Sequence, residues 1–445
     1  MSFSYTAAIL TLGCKVNQYE SEAMAEALAE QGVTLCAPTE RCDLYLINTC
    51  TVTAESDRKA RQFIRRVHAL NPNARIVVTG CLAQTDPDSL VKILGVDAVV
   101  GNTKKMEAVS IGLSLLRQGC AADAPFCAVY AMEGTAFEPM QITRFDRTRA
   151  YVKIEDGCEN RCTYCIIPAA RGQVRSKPPQ EVIDEVMRLT EGGCREVVLT
   201  GIETASYGKD LSPACSLGDL LGMVNAIPNV GRIRLGSLDP SSIRPAFAQA
   251  LPALSALAPH FHLSLQSGSD RILAAMKRKY NSAMAMEAIR RLRLALPRVQ
   301  FTTDVIVGFP GETEEDFEKT LQFIREARFL QVHIFPYSKR AGTPAASMSG
   351  QISKEEKSRR LHVLSDEVAR IRRSLLEEMI EKEPLQTVLF ETMDHGFAIG
   401  HTDHFAEVAV PSEHPLHARL CRVRLTHTDG LRCYGERVER KEVTS

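Results

Sequence analysis

The sequence predicts an α/β fold in three parts: an amino-terminal parallel α/β sheet, a central partial (β/α)6 barrel and a small carboxyl-terminal β-barrel. Three observations predict it. Short apolar, β-rich runs alternate with helix-length segments before residue 105, and again in longer units from residue 150, the signature of parallel strands joined by helical crossovers. One long charged amphipathic stretch follows at 353–383. The pattern then changes to short strands punctuated by Gly, Asp and Pro. A chain of 445 residues is too long for a single core, and the boundaries fall at 1–140, 141–383 and 384–445.

In the first part, strands are predicted at 7–12 (AAILTL), 44–48 (LYLIN), 75–79 (RIVVT) and 97–100 (DAVV), with helices near 18–31, 56–69 and 86–94. Cys14, Cys50 and Cys81 each sit one to three residues past the end of such a strand. Ligands of open parallel sheets bind at the carboxyl ends of the strands, so three cysteines scattered in sequence are expected to gather at one edge. The alternative is three small buried hydrophobes; their equivalent positions favour a site. Residues 105–140 hold a helix-like piece and read as a connection, and Cys120 and Cys127 within it are given no role.

In the second part, strands are predicted at 150–154, 195–199, 232–236, 261–265, 301–307 and 331–335, with helices near 179–191, 216–226, 241–254, 283–296 and 314–328. Six such units make a full or partial barrel whose active site lies at the carboxyl ends of its strands. Pro384 ends the long helix. In the tail, TVLFE, FAEVAV, ARLCRVRLTH and LRCYGERVE read as strands.

Charged residues make up 24% and hydrophobic residues 44%, and the formal net charge is zero. Whole-chain charge therefore gives no support for nucleic-acid binding, and any basic surface must be local. The opening MSFSYTAAILTLG lacks a basic region followed by a signal-length apolar run, and no window approaches a membrane span. No membrane partner is expected and the cytoplasm is the expected compartment. There, fourteen cysteines point to metal or redox chemistry rather than disulfides.

The first predicted barrel strand runs directly into GCENRCTYC, which carries Cys158, Cys162 and Cys165 as C-x3-C-x2-C. Structural zinc needs a closed shell of four ligands, but the next cysteine is Cys194 and no histidine follows until His260. A [4Fe–4S] cluster also takes four ligands, and one iron can be left open for a small molecule. Three thiolates with an open position have the shape of a catalytic site.

GCENRCTYCIIPAARG resembles the cluster-binding loop of the radical S-adenosylmethionine (SAM) superfamily. Taken with TLGCKVNQYESE, NTCTVTAESDRKARQFIRR, TGCLAQ, LTGIETASYG, RLGSLDP, HLSLQSGSDRIL, DVIVGFPGETEEDF and FPYSKRAGTPA, the chain is similar to the methylthiotransferases from about residue 5 to 345. The resemblance is weaker in the tail, where that family carries a TRAM domain. Lys15-Val16-Asn17-Gln18-Tyr19-Glu20 resembles most the branch acting on N6-threonylcarbamoyladenosine next to the anticodon of tRNA. The branches acting on isopentenyladenosine or on a ribosomal protein aspartate are the alternatives.

The resemblance implies two [4Fe–4S] clusters and SAM as cofactors. Cys158, Cys162 and Cys165 would hold the cluster that chelates SAM and yields a 5′-deoxyadenosyl radical; Cys14, Cys50 and Cys81 would hold an auxiliary cluster carrying the sulfur. The implied partners are a tRNA anticodon stem-loop, an electron donor such as flavodoxin or ferredoxin, and a sulfur source. Gly201-Ile202-Glu203 resembles the Gly-Gly-Glu element near the amino acid end of SAM, although many relatives have Asn where this chain has Glu203. Tyr164 is a candidate to pack on the adenine, Gly308 and Gly311 to admit the cofactor, and Gln266, Ser267 and Asp304 for polar contacts. Ordinary loop geometry or capping is the alternative for each. A reading from another class is an RNA-binding module with a structural metal.

For RNA, Arg58, Lys59, Arg61, Arg65 and Arg66 place five cations in nine residues with no acid among them, on the helix after Cys50. Lys277, Arg278 and Lys279 form a second basic stretch. From Pro384 onward, seven Lys or Arg face nine acids, so only the Arg419, Arg422 and Arg424 strand suggests a basic stripe. Six of the eleven histidines fall in the tail at spacings too irregular for a metal site. Phe397 and Phe405 are read as small-core residues or base-stacking candidates.

Overall fold

The computed structural model describes residues 5–118, 124–145 and 147–438; Cys120, Arg440 and Lys441 lie outside them. The first sheet is wholly parallel. Its strands are β1 (Thr6–Thr11), β2 (Thr34–Leu35), β3 (Leu44–Thr49), β4 (Arg75–Gly80), β5 (Ala98–Val100) and β6 (Phe126–Ala128), in the order β2-β1-β3-β4-β5-β6. All six positions of β3 are buried, as a parallel strand covered on both faces requires. Met24 and Leu28 of helix Lys15–Glu30 and Val109 and Leu113 of helix Glu107–Gln118 pack on one face. Ala60, Ile64 and Val67 of helix Ala54–Leu70 cover the other.

Two expectations are corrected here. The connection at 105–140 contributes, besides its expected helix, the edge strand β6. The helix expected at 86–94 is instead Cys81–Thr85 followed by Pro87–Leu90, because Asp86 leaves helical geometry at φ −146° and ψ 56° and Pro87 starts a new turn without needing an N–H.

The barrel comprises β7 (Ala150–Lys153), β8 (Glu155–Asp156), β9 (Arg175–Ser176), β10 (Glu196–Thr200), β11 (Arg232–Leu235), β12 (His260–Gln266), β13 (Gln300–Val307) and β14 (Gln331–Pro336). Sheets β11-β10-β7 and β12-β13-β14 meet through the single bridges Ile233↔Leu257 and Leu238↔Leu263. Strands β7, β10, β11, β12, β13 and β14 thus form a partial barrel in chain order. The short pair β8-β9 stands beside the cysteine loop. The helix expected at 241–254 is broken into Pro240–Ser242, Pro245–Ala250 and Leu251–Ala253, since Pro245 and Pro252 cannot donate within a continuous helix.

Helix Lys354–Lys382, capped by Ser353, leads to β15 (Leu385–Asp394), β16 (Phe397–Thr402), β17 (Glu407–Pro411), β18 (Leu420–Thr428) and β19 (Cys433–Arg437). These close in the order β15-β16-β17-β19-β18. One apolar core runs from the large barrel through the long helix into the small one. The seam is held by Phe405, whose ring stacks between His260 at 4.6 Å and His401 at 4.7 Å, with the Arg234 guanidinium 5.1 Å from its centre. Phe405 therefore neither fills the small core nor stands free for a base. Below it the buried Glu196 carboxylate binds Arg149, Arg232 and Arg234. No helix among the described residues is long and apolar enough to cross a membrane.

Candidate active site between two cysteine sets

β1, β3 and β4 are neighbours, so the loops they feed deliver Cys14, Cys50 and Cys81 to one edge of the sheet. Close approach is built in: a Cβ on Gly13 would meet the Cys50 Cβ at 2.6 Å and its Sγ at 2.9 Å. Asn17 Nδ2 donates to Leu12 O at 2.7 Å and Thr49 O at 2.9 Å. Thr49 Oγ1 donates to Thr79 O at 2.6 Å and accepts from Leu82 N at 3.2 Å. Burial raises the Cys14 thiol and pushes Cys50 to about 12, and Cys81 adds to both shifts.

The second set is fixed by the barrel. Asp156 Oδ1 accepts from Gly157 N at 2.9 Å. Gly157 sits at φ +94°, where a Cβ would lie 1.9 Å from Gln173 O, so only glycine fits. Thr163 N donates to Met276 O at 3.1 Å and Thr163 Oγ1 to Ala275 O at 2.9 Å. Burial pushes Cys158 to about 12 and Cys165 to about 11. Arg278 reaches in, with Nη1 3.3 Å from Cys162 Sγ and Nη2 2.8 Å from Asp239 Oδ2. Its side chain is 7% exposed. The basic stretch is thus divided: Lys277 and Lys279 face solvent, whereas Arg278 belongs to the cysteine loop. This corrects its reading as a surface cation.

A buried ion network joins the two sets. Arg171, 0% exposed, lies at the end of the short helix Ile167–Arg171 that follows the loop. Its Nε is 3.4 Å from Cys81 Sγ, and its Nη atoms donate to Asn17 Oδ1 at 2.5 Å, Glu20 Oε1 at 2.5 Å and Asp156 Oδ2 at 3.2 Å. Glu20 also binds Lys153 Nζ at 2.8 Å and Lys105, and Lys153 Nζ binds Asp156 Oδ2 at 2.7 Å. Arg171, Lys105 and Lys153 hold the Glu20 carboxyl well below the usual range despite its burial. Arg171, Lys153 and Arg175 bring Asp156 to about 2. Four cations, Lys105, Lys153, Arg171 and Arg175, thus meet only two carboxylates, Glu20 and Asp156. A buried positive excess beside cysteine sulfur suits an anionic group. Sequence reading missed Arg171 and Glu20 in this role.

The other expected cofactor contacts divide. Gly201 passes under Glu155, whose Oε2 would be 2.4 Å from a Cβ there. That oxygen accepts from Glu203 N at 2.8 Å, while Glu155 Oε1 has no partner. Burial, with repulsion from Asp239, raises Glu203 to about 7, and Asn160 Nδ2 in the cysteine loop donates to its Oε2 at 3.0 Å. Tyr164 packs edge-on against Phe309 at 6.5 Å. Gln266 ends β12 at φ +69°, and Asp304 Oδ2 lies 3.2 Å from His262 Nε2. Two expectations are corrected. A Cβ on Gly308 would strike Lys357 Cγ at 2.3 Å, so the long helix occupies that space. Ser267 is fully buried, sharing its hydroxyl with Thr320 and Ser269 N in a turn. Gly311 has open space beside it.

The basic helix is partly neutralised. Glu55, just ahead of the cationic run, accepts from Arg58 at 2.6 Å and 2.8 Å and lies 4.0 Å from Lys59. Arg61 is bound by Asp86 at 2.9 Å. Arg65 and Arg66 are exposed and carry no ion pair among the described residues; the same holds for Arg419, Arg422 and Arg424 in the tail.

The donor sets can be tested against their alternatives. At about 2.3 Å per Zn–S bond, tetrahedral zinc draws sulfurs to about 3.8 Å of one another. Among the described residues, the only group of three whose ligand atoms all lie within 4.8 Å is His262, Asp304 and His333. Three thiols from one loop beside a guanidinium fit a multi-iron group with one open corner.

The fold and the loop define a radical SAM enzyme: residues 152–324 match the radical SAM superfamily and residues 6–101 match the uncharacterized protein family UPF0004. That fold implies a [4Fe–4S] cluster and SAM. A solved radical SAM methyltransferase, TsrM from Kitasatospora setae with cobalamin and a [4Fe–4S] cluster bound, shares the fold at TM-score 0.57 and 16% identity, over 77% of this chain and 74% of its own. Threonylcarbamoyladenosine tRNA methylthiotransferase MtaB of Bacillus subtilis (strain 168) is 40% identical over 426 residues, 94% of this chain and 93% of its own. The protein of that name from Thermotoga maritima is 40% identical over 380 residues, 85% of each. The chain belongs to the radical SAM methylthiotransferase family.

Proposed function

We propose that this enzyme adds a methylthio group to C2 of an adenosine that already carries N6-threonylcarbamoyl, next to the anticodon of a tRNA. The observation that carries the reading is Arg171, which touches the sulfur of Cys81 and, through Asp156, braces the Gly157-Cys158 turn. Two three-thiol sets are thereby linked by one buried ion network, which suits a reaction that both activates carbon and delivers sulfur. The names of the similar proteins and the Lys15–Glu20 motif support the substrate.

In this reading Cys158, Cys162 and Cys165 hold the SAM-binding cluster, and Cys14, Cys50 and Cys81 hold a second, sulfur-bearing one. When bound, these groups supply hydrogen abstraction from the adenine and the sulfur to be transferred. The chain supplies position and charge. Arg278 contacts the sulfur of Cys162 and Arg171 that of Cys81, and Glu203, beside the cysteine loop, is our candidate to receive the SAM ammonium. Because burial pushes up the thiols of Cys14, Cys50, Cys158 and Cys165, loading either set releases protons. An anticodon loop presents unpaired bases that can be splayed into a pocket; Arg65, Arg66, Lys277 and Lys279 are placed for its phosphates, with lesser shares from Arg58, Lys59 and Arg61. An electron donor of the flavodoxin or ferredoxin class and a sulfur source complete the turnover, in the cytoplasm.

The test is anaerobic turnover of anticodon stem-loops carrying either N6-threonylcarbamoyladenosine or isopentenyladenosine, with nucleosides read by mass spectrometry. The 2-methylthio product should form from the first. Product from the second alone would overturn the substrate assignment and leave the enzyme class standing.

A further inference from the structure

Inside the barrel, the register pairs His262 with Thr302 and Asp304 with His333, so alternation puts His262, Asp304 and His333 on one face. They stay open to solvent while Phe261, Leu263, Val305 and Val332 between them are buried. His262 Nδ1 lies 2.9 Å from Thr302 Oγ1, and the His262 and His333 rings are 5.8 Å apart. Lys15, the residue after Cys14, lies within electrostatic reach of His260, His333 and Asp304, with Arg149 and Arg234 also near it. It is reached by solvent and makes no hydrogen bond or ion pair with a described residue. One turn on, along the same helix face, Gln18 buries an amide Oε1 that has no partner.

Three occupants compete for this space. Two histidines and a carboxylate within 4.8 Å are a plausible metal set on ligand type, but the ammonium of Lys15 repels a second cation and attracts an anion. An apolar substituent such as a dimethylallyl group would desolvate five polar side chains and satisfy none. A carboxylate flanked by amide and hydroxyl groups satisfies them all: oxygens for Lys15 and the imidazoles, an N–H for Gln18, a hydroxyl for Asp304. We propose that Lys15, Gln18, His262, Asp304 and His333 form a pocket that recognises the threonyl carboxylate and ureido group of the modified adenosine. This rests on the substrate reading above and names the residues that would enforce it. Lys15 adjoins Cys14, so a substituent held here brings the adenine beside the first cysteine set.

The experiment compares binding of two anticodon stem-loops to the reconstituted enzyme by fluorescence anisotropy. One carries N6-threonylcarbamoyladenosine; the other carries the same nucleoside with the threonine carboxylate converted to its primary amide. Wild type should prefer the carboxylate by about tenfold to a hundredfold, the worth of one charge-assisted hydrogen bond. Lys15→Gln should erase the preference at unchanged iron content, and His333→Phe should reduce it. Should Lys15→Gln lose iron, the wild-type comparison and His333→Phe decide the matter. Equal binding of both RNAs by an enzyme that methylthiolates the first would refute the pocket and spare the substrate reading. Turnover of isopentenyladenosine RNA alone would refute both. Stoichiometric zinc or manganese that is lost in His333→Phe would replace the carboxylate by a metal.

Discussion

Replacing Glu20 by Gln tests the buried network that joins the two cysteine sets. Glu20 is 1% exposed and accepts from Lys153 Nζ at 2.8 Å, Arg171 Nη1 at 2.5 Å and Lys105. With its charge gone, four buried cations share only Asp156, and Lys105 keeps a single contact, Asn48 Oδ1 at 3.3 Å. Breaking a buried pair costs about 3–5 kcal/mol, which for a unit of this size lowers Tm by roughly 10 °C. The pH dependence follows from the directions of shift. Glu20 and Asp156 have depressed pKa values, so their stabilisation is complete above the unfolded carboxylate range and is lost as pH falls through the folded values. Wild type should therefore weaken below about pH 4. Burial already lowers Lys105; without Glu20 it deprotonates more readily, so the unfolded state binds the extra proton and the variant regains stability as pH rises. Between pH 7 and 9 the gap to wild type should narrow by up to about 2–3 kcal/mol. The assay is thermal unfolding by circular dichroism across pH. A Glu20→Gln protein melting within about 2 °C of wild type at pH 7 would refute the network's role.

Other perturbations separate the parts. Cys50→Ala should retain reductive cleavage of SAM to 5′-deoxyadenosine and lose the methylthio product, whereas Cys162→Ala should lose both; chromatography of the two products checks this, and loss of SAM cleavage in a folded Cys50→Ala enzyme contradicts the separation of sites. Removing the unpaired cations with Arg65→Ala and Arg66→Ala should flatten the log–log salt dependence of tRNA affinity by about 1.5 units, and an unchanged slope returns that helix face to solvent. Phe405→Ala empties the seam between the two barrels, at a cost of about 2–3 kcal/mol, and should release the tail beyond Pro384 to limited proteolysis before the rest of the chain unfolds.

The parallel sheet, the partial barrel and the closed tail were legible because each rests on hydrophobic periodicity. The gathering of Cys14, Cys50 and Cys81 was legible because strand ends of a parallel sheet share an edge. The edge strand β6 was not, since three residues at a sheet margin leave no periodic trace. Arg171 was invisible for a different reason. Six residues past the loop cysteines, it reads as an ordinary surface cation, and only the packing of helix Cys81–Thr85 on helix Ile167–Arg171 makes it the link between the sets. Arg278 was read with its neighbours Lys277 and Lys279 as one surface stretch, although its guanidinium turns inward to Asp239 and Cys162. Acids outside a cationic run also escaped notice: Glu55 and Asp86 neutralise part of the helix that looked uniformly basic.

The proposed mechanism requires two iron–sulfur sites within one chain. The direct measurement is iron, sulfide and zinc per chain after anaerobic reconstitution, for wild type and for the Cys14→Ala, Cys50→Ala, Cys81→Ala triple variant. Wild type should hold about eight irons and the triple variant about four, with little zinc in either. Zinc in place of iron, or no difference between the two proteins, would contradict it.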